Sequence, residues 1–522
     1  MLPVGKDGQA DSALTTREDS RMPRLTREEK QLAGLVAQAR EAQASWAKVP
    51  VKRRAAYVRA MRDRIAARAD GICELILHAT GKTRIDAMTT EVMPLALAAS
   101  WYARTAPRVM KPRRLRGGHP FFFFKSSRVE RVPWGVVGII SPWNYPFGIP
   151  LHDVLTALLA GNAVILKAAT QTQSVGEAVA DVVRSSGLPG GLFHLVAMPG
   201  TVAGRAMIAA GVDKLCFTGS TEAGRDVMRV AAEGPVPVSL ELGGSDAMIV
   251  LDDANLDRAV GGALWAGTSN AGQSCAAVER VFVVEKVYAA FREKLVRRVA
   301  GLRVGPDRDF DVDVGSLSSP AQKKKVDGMV KEALAHGARI IASSGNSEGL
   351  FHPVVILESD DGRGKILHEE IFGPVIVLAK VRDEAEAITR ANDSPYGLSA
   401  SVWTRSNRRG RQVASQLAVG TVTLNDHMMS HGMAETPWGG CRGSGFSRTH
   451  GEAGLLEMSR IRVTVRDRMH RAPRAMWWHP HSRHVYEGFR AGVTALYGRG
   501  LGKRLSALAR FARLFLRSFT RN

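Results

Sequence analysis

Residues 135–169 read GVVGIISPWNYPFGIPLHDVLTALLAGNAVILKAA, and they decide the fold. GVVGIIS is a short apolar run of the kind found in strands that are buried on both faces. IPLHDVLTALLAG follows with helical spacing of its apolar residues, and NAVILKAA is a second apolar run. Two such runs joined by a helix predict parallel strands with a crossover helix between them.

The same alternation continues along the chain. SVGEAVADVVRSSG, TVAGRAMIAAG and TEAGRDVMRVAAE have helical spacing, whereas LFHLVAM and KLCFTGS are strand-like. A second alternating region covers residues 247–424, and no internal repeat is visible. Strand–helix alternation predicts an α/β fold with helices on both faces of parallel sheets.

The N-terminal third has a different pattern. Residues 27–110 show helical periodicity, and residues 111–130 are rich in Pro, Gly and β-forming residues, which predicts strands or a hairpin. Residues 1–26 are polar without an apolar core, so we expect a flexible leader and not a signal peptide. No apolar run approaches the roughly 20 residues of a membrane-spanning helix.

Composition sets broad limits on the class of protein. The chain has 522 residues, 45% hydrophobic and 23% charged, which is ordinary for a globular protein of two or three domains. Its four cysteines form no CxxC pair, which argues against a disulfide framework or a zinc site. We therefore expect a reducing compartment and a cytoplasmic location.

The net charge of +22 is concentrated in the first third and beyond Arg466. Residues 501–522 predict an amphipathic helix without any acid. Its apolar face holds Leu501, Leu505, Leu508, Ala512, Phe515, Leu516 and Phe519, and its basic face holds Lys503, Arg510, Arg513, Arg517 and Arg521.

Two hypotheses explain this helix. Its apolar face docks on the rest of the chain or on a partner subunit, or it lies on the inner face of a membrane with its arginines toward anionic head groups. The Trp477–Trp478 pair upstream favours the membrane. A nucleic-acid partner is not predicted, and an arginine-rich proteome alone would also explain a basic chain.

The segment before this helix, residues 465–498, shows little periodicity. It contains the histidines His479, His481 and His484, which no carboxylate or thiol joins. We interpret them as solvated loop residues and predict no metal site.

A doubly wound sheet often binds a dinucleotide at the carboxyl ends of its strands. The usual GxGxxG pattern is absent, and GRGLGKR at 498–504 has the wrong spacing and follows no strand. CFTGSTEAGR at 216–225 instead joins a strand to a helix through Gly219 and Ser220. The N–H groups of such a helix start suit a phosphate, although the same pattern also occurs as a plain turn.

Cys275, in NAGQSCAAVERV, is the candidate nucleophile. A lone cysteine is more often a buried apolar residue, and the patterns around Cys73 and Cys216 favour that interpretation for those two. Cys441 lies in a Gly-rich turn, and the sequence leaves its role undecided. Glu241, in the apolar strand LELGG, is the candidate base, because burial raises the pKa of a carboxyl toward neutrality.

Taken together, the chain resembles the aldehyde dehydrogenase superfamily across residues 27–465. The separation of Glu241 and Cys275 is similar to that of the family. Eight segments follow in family order: SPWNYPF (141–147), NAVILK (162–167), FTGSTEAG (217–224), LELGG (240–244), GQSC (272–275), EEIFGPV (369–375), ANDSPYGLSASVWT (391–404) and PWGGCRGSGFSRTHG (437–451).

The resemblance implies a catalytic set of three residues. Cys275 would attack an aldehyde and pass through a thiohemiacetal and a thioester to a carboxylic acid. Asn144, with the Cys275 backbone N–H, would hold the oxyanion. Glu241 would activate the water that hydrolyses the thioester.

The resemblance also implies NAD or NADP as cofactor. The residues expected to bind it are Trp143, Lys167, Thr170, Gly219, Ser220, Gly224, Leu242, Glu370 and Phe372. Lys167 and Glu370 would contact its two riboses, and Phe372 would lie near the nicotinamide. Thr170 stands where the family commonly has an acid, and a threonine does not repel a 2′-phosphate, so we expect NADP to be tolerated.

The domain organisation implied by the family has three parts. These are a Rossmann-type cofactor domain (27–110 and 131–242), a second α/β catalytic domain (243–454) and a bridging β-element (111–130 and 455–467). The bridge builds homodimers or homotetramers in the family. Residues 468–522 then form a basic extension beyond the family core.

The sequence does not decide between two classes of aldehyde substrate. A membrane-surface enzyme would meet lipophilic aldehydes, fatty or aromatic, whereas DVDVGSLSS (311–319) resembles members that oxidise succinic semialdehyde. Glu241 argues against a coenzyme-A-acylating enzyme. A catalytically silent structural member is the alternative from another class, and the joint presence of Cys275, Glu241 and Asn144 argues against it.

Overall fold

The computed structural model describes residues 27–116, 118–345, 347–359 and 364–520. The predicted flexible leader, residues 1–26, lies outside the described residues. Of the described residues, one compact unit takes those up to Met110 together with Val132–Arg460. A second unit takes those within Lys111–Arg131 and Ile461–Asn522.

The N-terminal region is helical, as its periodicity predicts. Helices α1 to α5 span Arg27–Trp46, Val51–Ala67, Ala69–Thr80, Arg84–Ala87 and Met93–Val109. A π-helical turn at Met88–Val92 joins the last two. Strands β1 (Arg113–Arg116) and β2 (Lys125–Pro133) follow and pair antiparallel.

The deciding stretch forms β3 (Val136–Ile140), α6 (Gly148–Ala160) and β4 (Ala163–Lys167). The alternation continues with α7 (Gln173–Ser185), β5 (Phe193–Val196), α8 (Gly200–Ala209), β6 (Lys214–Thr218), α9 (Thr221–Glu233) and β7 (Val238–Glu241). These strands make a parallel sheet of five with the order β5-β4-β3-β6-β7.

The strand order of this sheet reverses at β3. The chain first adds β4 and β5 on one side of β3 and then returns to add β6 and β7 on the other. Ligands bind α/β sheets in the crevice outside the carboxyl ends of the strands at such a reversal. The segments after β3 and β6 therefore face the predicted crevice.

The second alternating region forms a larger sheet. Its elements are β8 (Asp246–Val250), α10 (Leu256–Thr268), β9 (Val278–Val284), α11 (Glu285–Val299), α12 (Pro320–Ala335), β10 (Arg339–Ser344), β11 (Val354–Glu358), β12 (Val375–Val381), α13 (Glu384–Asn392), β13 (Ser399–Trp403), α14 (Asn407–Ala414) and β14 (Thr421–Leu424). Seven strands order as β10-β11-β12-β9-β8-β13-β14, and only the β10–β11 pair is antiparallel. Short helices α15 (Met429–Gly432) and α16 (Gly451–Glu457) follow.

Both sheets are buried on their two faces. β3, β4, β8 and β9 are buried along their whole length, which is why their sequences are mostly apolar and do not alternate. The exceptions in β8 and β9 are the buried charged residues Asp246, Glu279 and Arg280. The predicted α/β fold class is confirmed, with parallel sheets in the places that the alternation predicts.

The second unit contains β15 (Ser459–Asp467), α17 (Arg483–Tyr497) and α18 (Leu501–Leu516). β15 is an edge strand of a three-stranded sheet with the order β1-β2-β15. Residues 465–498, which show little periodicity in the sequence, nevertheless contain α17 over nearly half of their length. Its buried row is Val485, Gly488, Ala491 and Gly492, and small residues of this kind give only a weak helical signal.

The prediction of a single apolar face on α18 also needs correction. Ala507 and Leu514 are buried and Phe511 is half-buried, whereas Leu501, Leu505 and Leu508 remain exposed. Among the described residues, no helix is long and apolar enough to cross a bilayer.

Candidate active site

The crevice at the sheet reversal contains a cleft of about 220 Å³. Its lining includes eight of the predicted site residues, namely Trp143, Asn144, Gly219, Ser220, Leu242, Cys275, Glu370 and Phe372. Residues more than two hundred positions apart in the sequence thus meet at one place.

Cys275 lies just before β9, at the end of a tightly turned segment. Asn270, Ala271 and Gly272 have φ values of 53°, 53° and 70°, so three successive residues adopt the left-handed region. A Cβ atom at Gly272 would lie 2.1 Å from the carbonyl oxygen of Gly373, so only glycine fits.

Asp86, from the N-terminal helices, holds this segment in place. Its carboxylate accepts hydrogen bonds from the Ser269 hydroxyl at 2.6 Å and from the Asn270 backbone N–H at 2.8 Å. The backbone strain around Asn270 is thus offset by a buried acceptor.

Asn144 follows β3 and is buried. Its side-chain amide donates to the carbonyl oxygen of Gln273 at 3.1 Å, two residues before Cys275. The backbone carbonyl of Asn144 accepts hydrogen bonds from Lys82 Nζ at 2.8 Å and from Asn270 Nδ2 at 2.9 Å. Lys82 is buried and paired with the equally buried Glu91, so the asparagine is fixed by a closed polar network.

Glu241 ends β7 with its carboxyl group buried. Oε1 lies 3.8 Å from the Cys275 Sγ and accepts a hydrogen bond from the Trp438 indole N–H. Burial raises the pKa of Glu241 to about 7, and the negative charge of Asp153 acts in the same direction. Behind it lies a cavity of about 20 Å³ that Glu241 shares with Asp153 and Thr449, large enough for one water molecule.

The Cys275 side chain is partly buried. Burial raises the pKa of its thiol above the ordinary value, and the nearby Glu241 carboxylate adds to that rise. Thiol and carboxyl therefore share one desolvated corner of the cleft.

Ser220 is the N-cap of α9, and its hydroxyl accepts from the Ala223 N–H at 3.3 Å. The first N–H groups of a helix have no intrahelical partner, and those of α9 open toward the cleft beside Gly219. Gly224 packs against Leu242, whose Cδ2 would lie 2.5 Å from a Cβ there, so it shapes the helix contact without lining the cleft.

Glu370 and Phe372 form the opposite wall. Glu370 accepts from the Gly244 N–H at 3.0 Å, and burial raises its pKa to about 7. Phe372 has a positive φ of 58°, and its N–H donates to the buried Glu279 at 2.8 Å. Its ring meets the edge of Trp143 with a centroid distance of 5.5 Å.

Lys167 and Thr170 lie outside this lining, at the carboxyl end of β4. Lys167 is buried, and desolvation lowers the pKa of its ammonium group. Its Nζ lies beside Gly200, the first residue of α8. The exposed Thr170 donates weakly to the Met198 carbonyl at 3.5 Å.

Three residues that the fold brings to the site were not predicted from the sequence. Gln322 and Lys325 line the cleft from α12, and Gln322 Nε2 donates to the Phe372 carbonyl at 2.7 Å. Their spacing on one helix face was the available signal. Trp438, which donates to Glu241, carried no signal beyond its place in a Gly-rich stretch.

Within the described residues, no group of His, Cys, Asp or Glu side chains is arranged to hold a metal ion. His479 and His481 lie with ring centroids 4.2 Å apart and are solvent-exposed.

A parallel sheet with a cleft at its reversal, a helix start facing that cleft and a thiol next to a buried carboxyl are the features expected of an α/β enzyme with a thiol nucleophile. The model of the Aldehyde dehydrogenase family matches residues 14–464. The chain therefore belongs to the aldehyde dehydrogenase family. It is an aldehyde-oxidising oxidoreductase whose cofactor is NAD or NADP.

Several known proteins are similar to it. A 4,4'-diapolycopene aldehyde oxidase of Methylomonas sp is 38% identical over 459 residues, covering 88% of this chain and 86% of that protein. A putative NADP(+) succinate-semialdehyde dehydrogenase of Mycolicibacterium smegmatis is 38% identical over 463 residues, covering 88% of each. The crystal structure of a Mycobacterium tuberculosis aldehyde dehydrogenase complexed with NAD+ aligns with a TM-score of 0.78 at 32% identity, covering 83% of this chain and 90% of that one.

Proposed function

We propose that the protein oxidises a lipophilic aldehyde, fatty or aromatic, to its carboxylic acid through a thioester on Cys275. The observation that carries this proposal is the placement of the Cys275 Sγ 3.8 Å from Glu241 in the cleft that Asn144 also lines. A nucleophile, a base and an amide donor within one water-poor corner suit acyl chemistry and would serve no purpose in a scaffold.

The first step is attack of the Cys275 thiolate on the aldehyde carbon. Its proton leaves beforehand, and the Glu241 carboxylate is placed to accept it. The Asn144 side-chain amide and the Cys275 backbone N–H stabilise the oxyanion of the thiohemiacetal. The closed network around Asn144 keeps this donor oriented without reorganisation during the step.

The cleft would hold NAD or NADP, which would supply the hydride acceptor for oxidation of the thiohemiacetal. The residues present fit such a cofactor, because the α9 start offers free N–H groups for its phosphates and Glu370 offers a carboxylate for a ribose. Trp143, Leu242 and Phe372 supply apolar walls, and Gly224 lets α9 approach Leu242.

Glu241 releases the proton taken from the thiol to solvent and, again as a carboxylate, activates the water that hydrolyses the thioester. The proton taken from that water then passes to the departing thiolate. The pKa of about 7 makes Glu241 a base whose ionised form is present at neutral pH and still binds a proton well. Release of the carboxylic acid frees the thiol for another cycle.

NADP is part of this proposal. Thr170 places a neutral hydroxyl, and Lys167 a cation, at the carboxyl end of β4, where an acid would repel a 2′-phosphate. The name of the Mycolicibacterium relative, which specifies NADP(+), supports this choice.

The surroundings of Cys275 favour a lipophilic substrate over succinic semialdehyde. Tyr145, His431 and Trp438 form an aromatic group next to it, and burial lowers the pKa of His431 to about 4, so that ring is neutral. Lys82 lies over the Tyr145 ring at 4.0 Å, but Glu91 already balances its charge. A substrate carboxylate would find no free cation among these residues, and Lys325 of the cleft lining already acts electrostatically on the Glu370 carboxyl. The diapolycopene aldehyde oxidase relative supports a lipophilic substrate.

We also propose a homodimer or homotetramer built through β15, and a cytoplasmic location. Ile461, Val463 and Val465 form an exposed apolar row on this edge strand, a combination that commonly pairs with another subunit. The cysteines are free in the structure, which suits a reducing compartment.

The test is NADH and NADPH formation with short aliphatic, long-chain and aromatic aldehydes and with succinic semialdehyde. We expect long-chain or aromatic aldehydes to give the highest kcat/KM. Cys275→Ala should abolish turnover, whereas Cys441→Ala, a partly buried cysteine outside the cleft, should retain it. Turnover by Cys275→Ala would refute the mechanism, and a preference for succinic semialdehyde would refute the substrate class.

A further inference from the structure

The C-terminal hairpin, defined as α17 and α18, has an apolar face that none of the described residues of its own unit covers. The two helices run antiparallel: Gly488 lies against Leu514, Gly492 lies against Phe511, and Arg504 bonds the carbonyls of Ala495 and Leu496. The glycines allow close contact, since a Cβ at Gly492 would lie 2.7 Å from the Phe511 ring. The hairpin is therefore a packed element whose inner surface is already used.

A second apolar row runs along the outside of α18. Its members are spaced three and four residues apart and are exposed: Leu501, Leu505, Leu508, Ala512, Leu516 and Phe519. α17 has an exposed row of its own, formed by Tyr486, Val493 and Tyr497.

Both rows point to the same side of the hairpin. On each helix the exposed row lies about 130–140° around the axis, in the same rotational sense, from the residues that face the other helix. Antiparallel helices related in this way present such rows on one common side. We call this side the outer apolar face.

The outer apolar face extends beyond the two helices. Phe515 contacts the Phe519 ring at a centroid distance of 5.8 Å and the exposed Phe123 at 5.9 Å. Contiguous exposed apolar surface of this extent marks an interaction site more often than solvent-facing structure.

The charge around this face identifies the chemistry of its partner. Residues 468–522 carry twelve Lys and Arg against the single acid Glu487, and so supply about half of the net charge of +22. Arg490 and Arg513 border the exposed rows on the two helices, and Arg499 lies in the loop between them. Tyr486 and Tyr497 combine an apolar ring with a polar end, which suits a boundary between water and hydrocarbon.

We propose that the outer apolar face docks in the plane of an anionic lipid bilayer. Its leucines and aromatic rings enter the acyl boundary, and the bordering arginines contact acidic head groups. This mode needs no spanning helix. It goes beyond the proposed reaction, since it uses none of the residues assigned to it.

Flotation of the full chain with lipid vesicles tests the proposal. We expect binding to vesicles of an equal mixture of phosphatidylglycerol and phosphatidylcholine, weaker binding to phosphatidylcholine alone, and release by salt. The triple variant Leu505→Asn, Leu508→Asn, Leu516→Asn should lower the partition coefficient at least about tenfold. The triple variant Arg490→Gln, Arg499→Gln, Arg513→Gln should remove the preference for anionic vesicles.

The control is Val202→Asn, Met228→Asn, Leu334→Asn, which removes three exposed apolar residues from the other unit and should bind as the wild type does. Circular dichroism checks that each variant is folded. Equal binding to both vesicle types, or undiminished binding by the leucine variant, overturns the proposal. If the leucine variant binds vesicles as the wild type does but changes the oligomeric state, measured by light scattering, the outer apolar face contacts a second copy of this chain. That result overturns the proposal of a lipid partner.

Turnover of a short, water-soluble aldehyde separates this proposal from the proposed function. Vesicle binding without turnover would leave the docking surface standing and refute the enzyme mechanism. Turnover without vesicle binding would refute the docking surface and leave the enzyme mechanism standing.

Discussion

Glu241 shows how one residue acquires its chemistry from its surroundings. Its pKa of about 7 arises from burial at the end of β7, against the opposing effect of the Trp438 hydrogen bond. A carboxyl group in water would stay ionised far below neutrality and would be a weak base.

We therefore expect the rate of thioester hydrolysis to rise with pH through about 7, because only the ionised Glu241 accepts a proton from water. Glu241→Gln should lower steady-state turnover at least about a hundredfold. Mass spectrometry should then find acyl-enzyme on the peptide that contains Cys275. A Gln variant with normal turnover and the same pH profile would contradict the role.

Thr170 gives a second prediction at this scale. Thr170→Glu should lower kcat/KM for NADP at least about tenfold while sparing NAD, because a carboxylate near the ribose repels the 2′-phosphate. Gln171→Glu adds the same charge one exposed residue further on and serves as the control. If both variants lower kcat/KM for NADP equally, the effect comes from the added negative charge in general and not from a contact with the ribose.

At the scale of elements, the segment before β9 decides where the Cys275 side chain lies. Its three left-handed residues place Cys275 in the cleft, and Asp86 fixes the segment from the N-terminal helices. Strand and helix propensities do not encode such a turn, because its geometry depends on acceptors supplied by distant residues.

Gly272→Ala tests this geometry. The added Cβ would lie 2.1 Å from the Gly373 carbonyl oxygen at a φ of 70°, so we expect a loss of about 3 kcal/mol in the free energy of unfolding, together with lower turnover. Gly328→Ala, in α12 with open space around it, should be neutral or slightly stabilising. Denaturant unfolding measures both, and equal stability of the two variants would contradict the argument.

At the scale of the whole molecule, β15 leaves an apolar row on a free sheet edge. Val463→Arg puts a charge into that row, and we expect light scattering to show a smaller particle than the wild type. Thr464→Arg is the control, since alternate residues of a strand point to opposite faces. An unchanged particle size in Val463→Arg would place the subunit contact elsewhere.

The sequence by itself determined the fold class and the family. Short continuous apolar runs such as GVVGIIS favour strands buried on both faces, and the helices between them impose parallel order. It also supplied the candidates Cys275, Glu241 and Asn144, because chemical groups of these types in that order resemble a known family. The roles of these three residues stay predictions until the variants are measured.

Only the tertiary structure decided how those groups meet. The contact of Trp438 with Glu241, the support of Asn144 by Lys82 and the closure of the cleft by Gln322 and Lys325 join residues far apart in the sequence. The split of α18 into a packed row and an exposed row likewise depends on α17, whose glycines gave little signal. Periodicity reports which residues are apolar, whereas burial is settled by the partner that the fold brings against them.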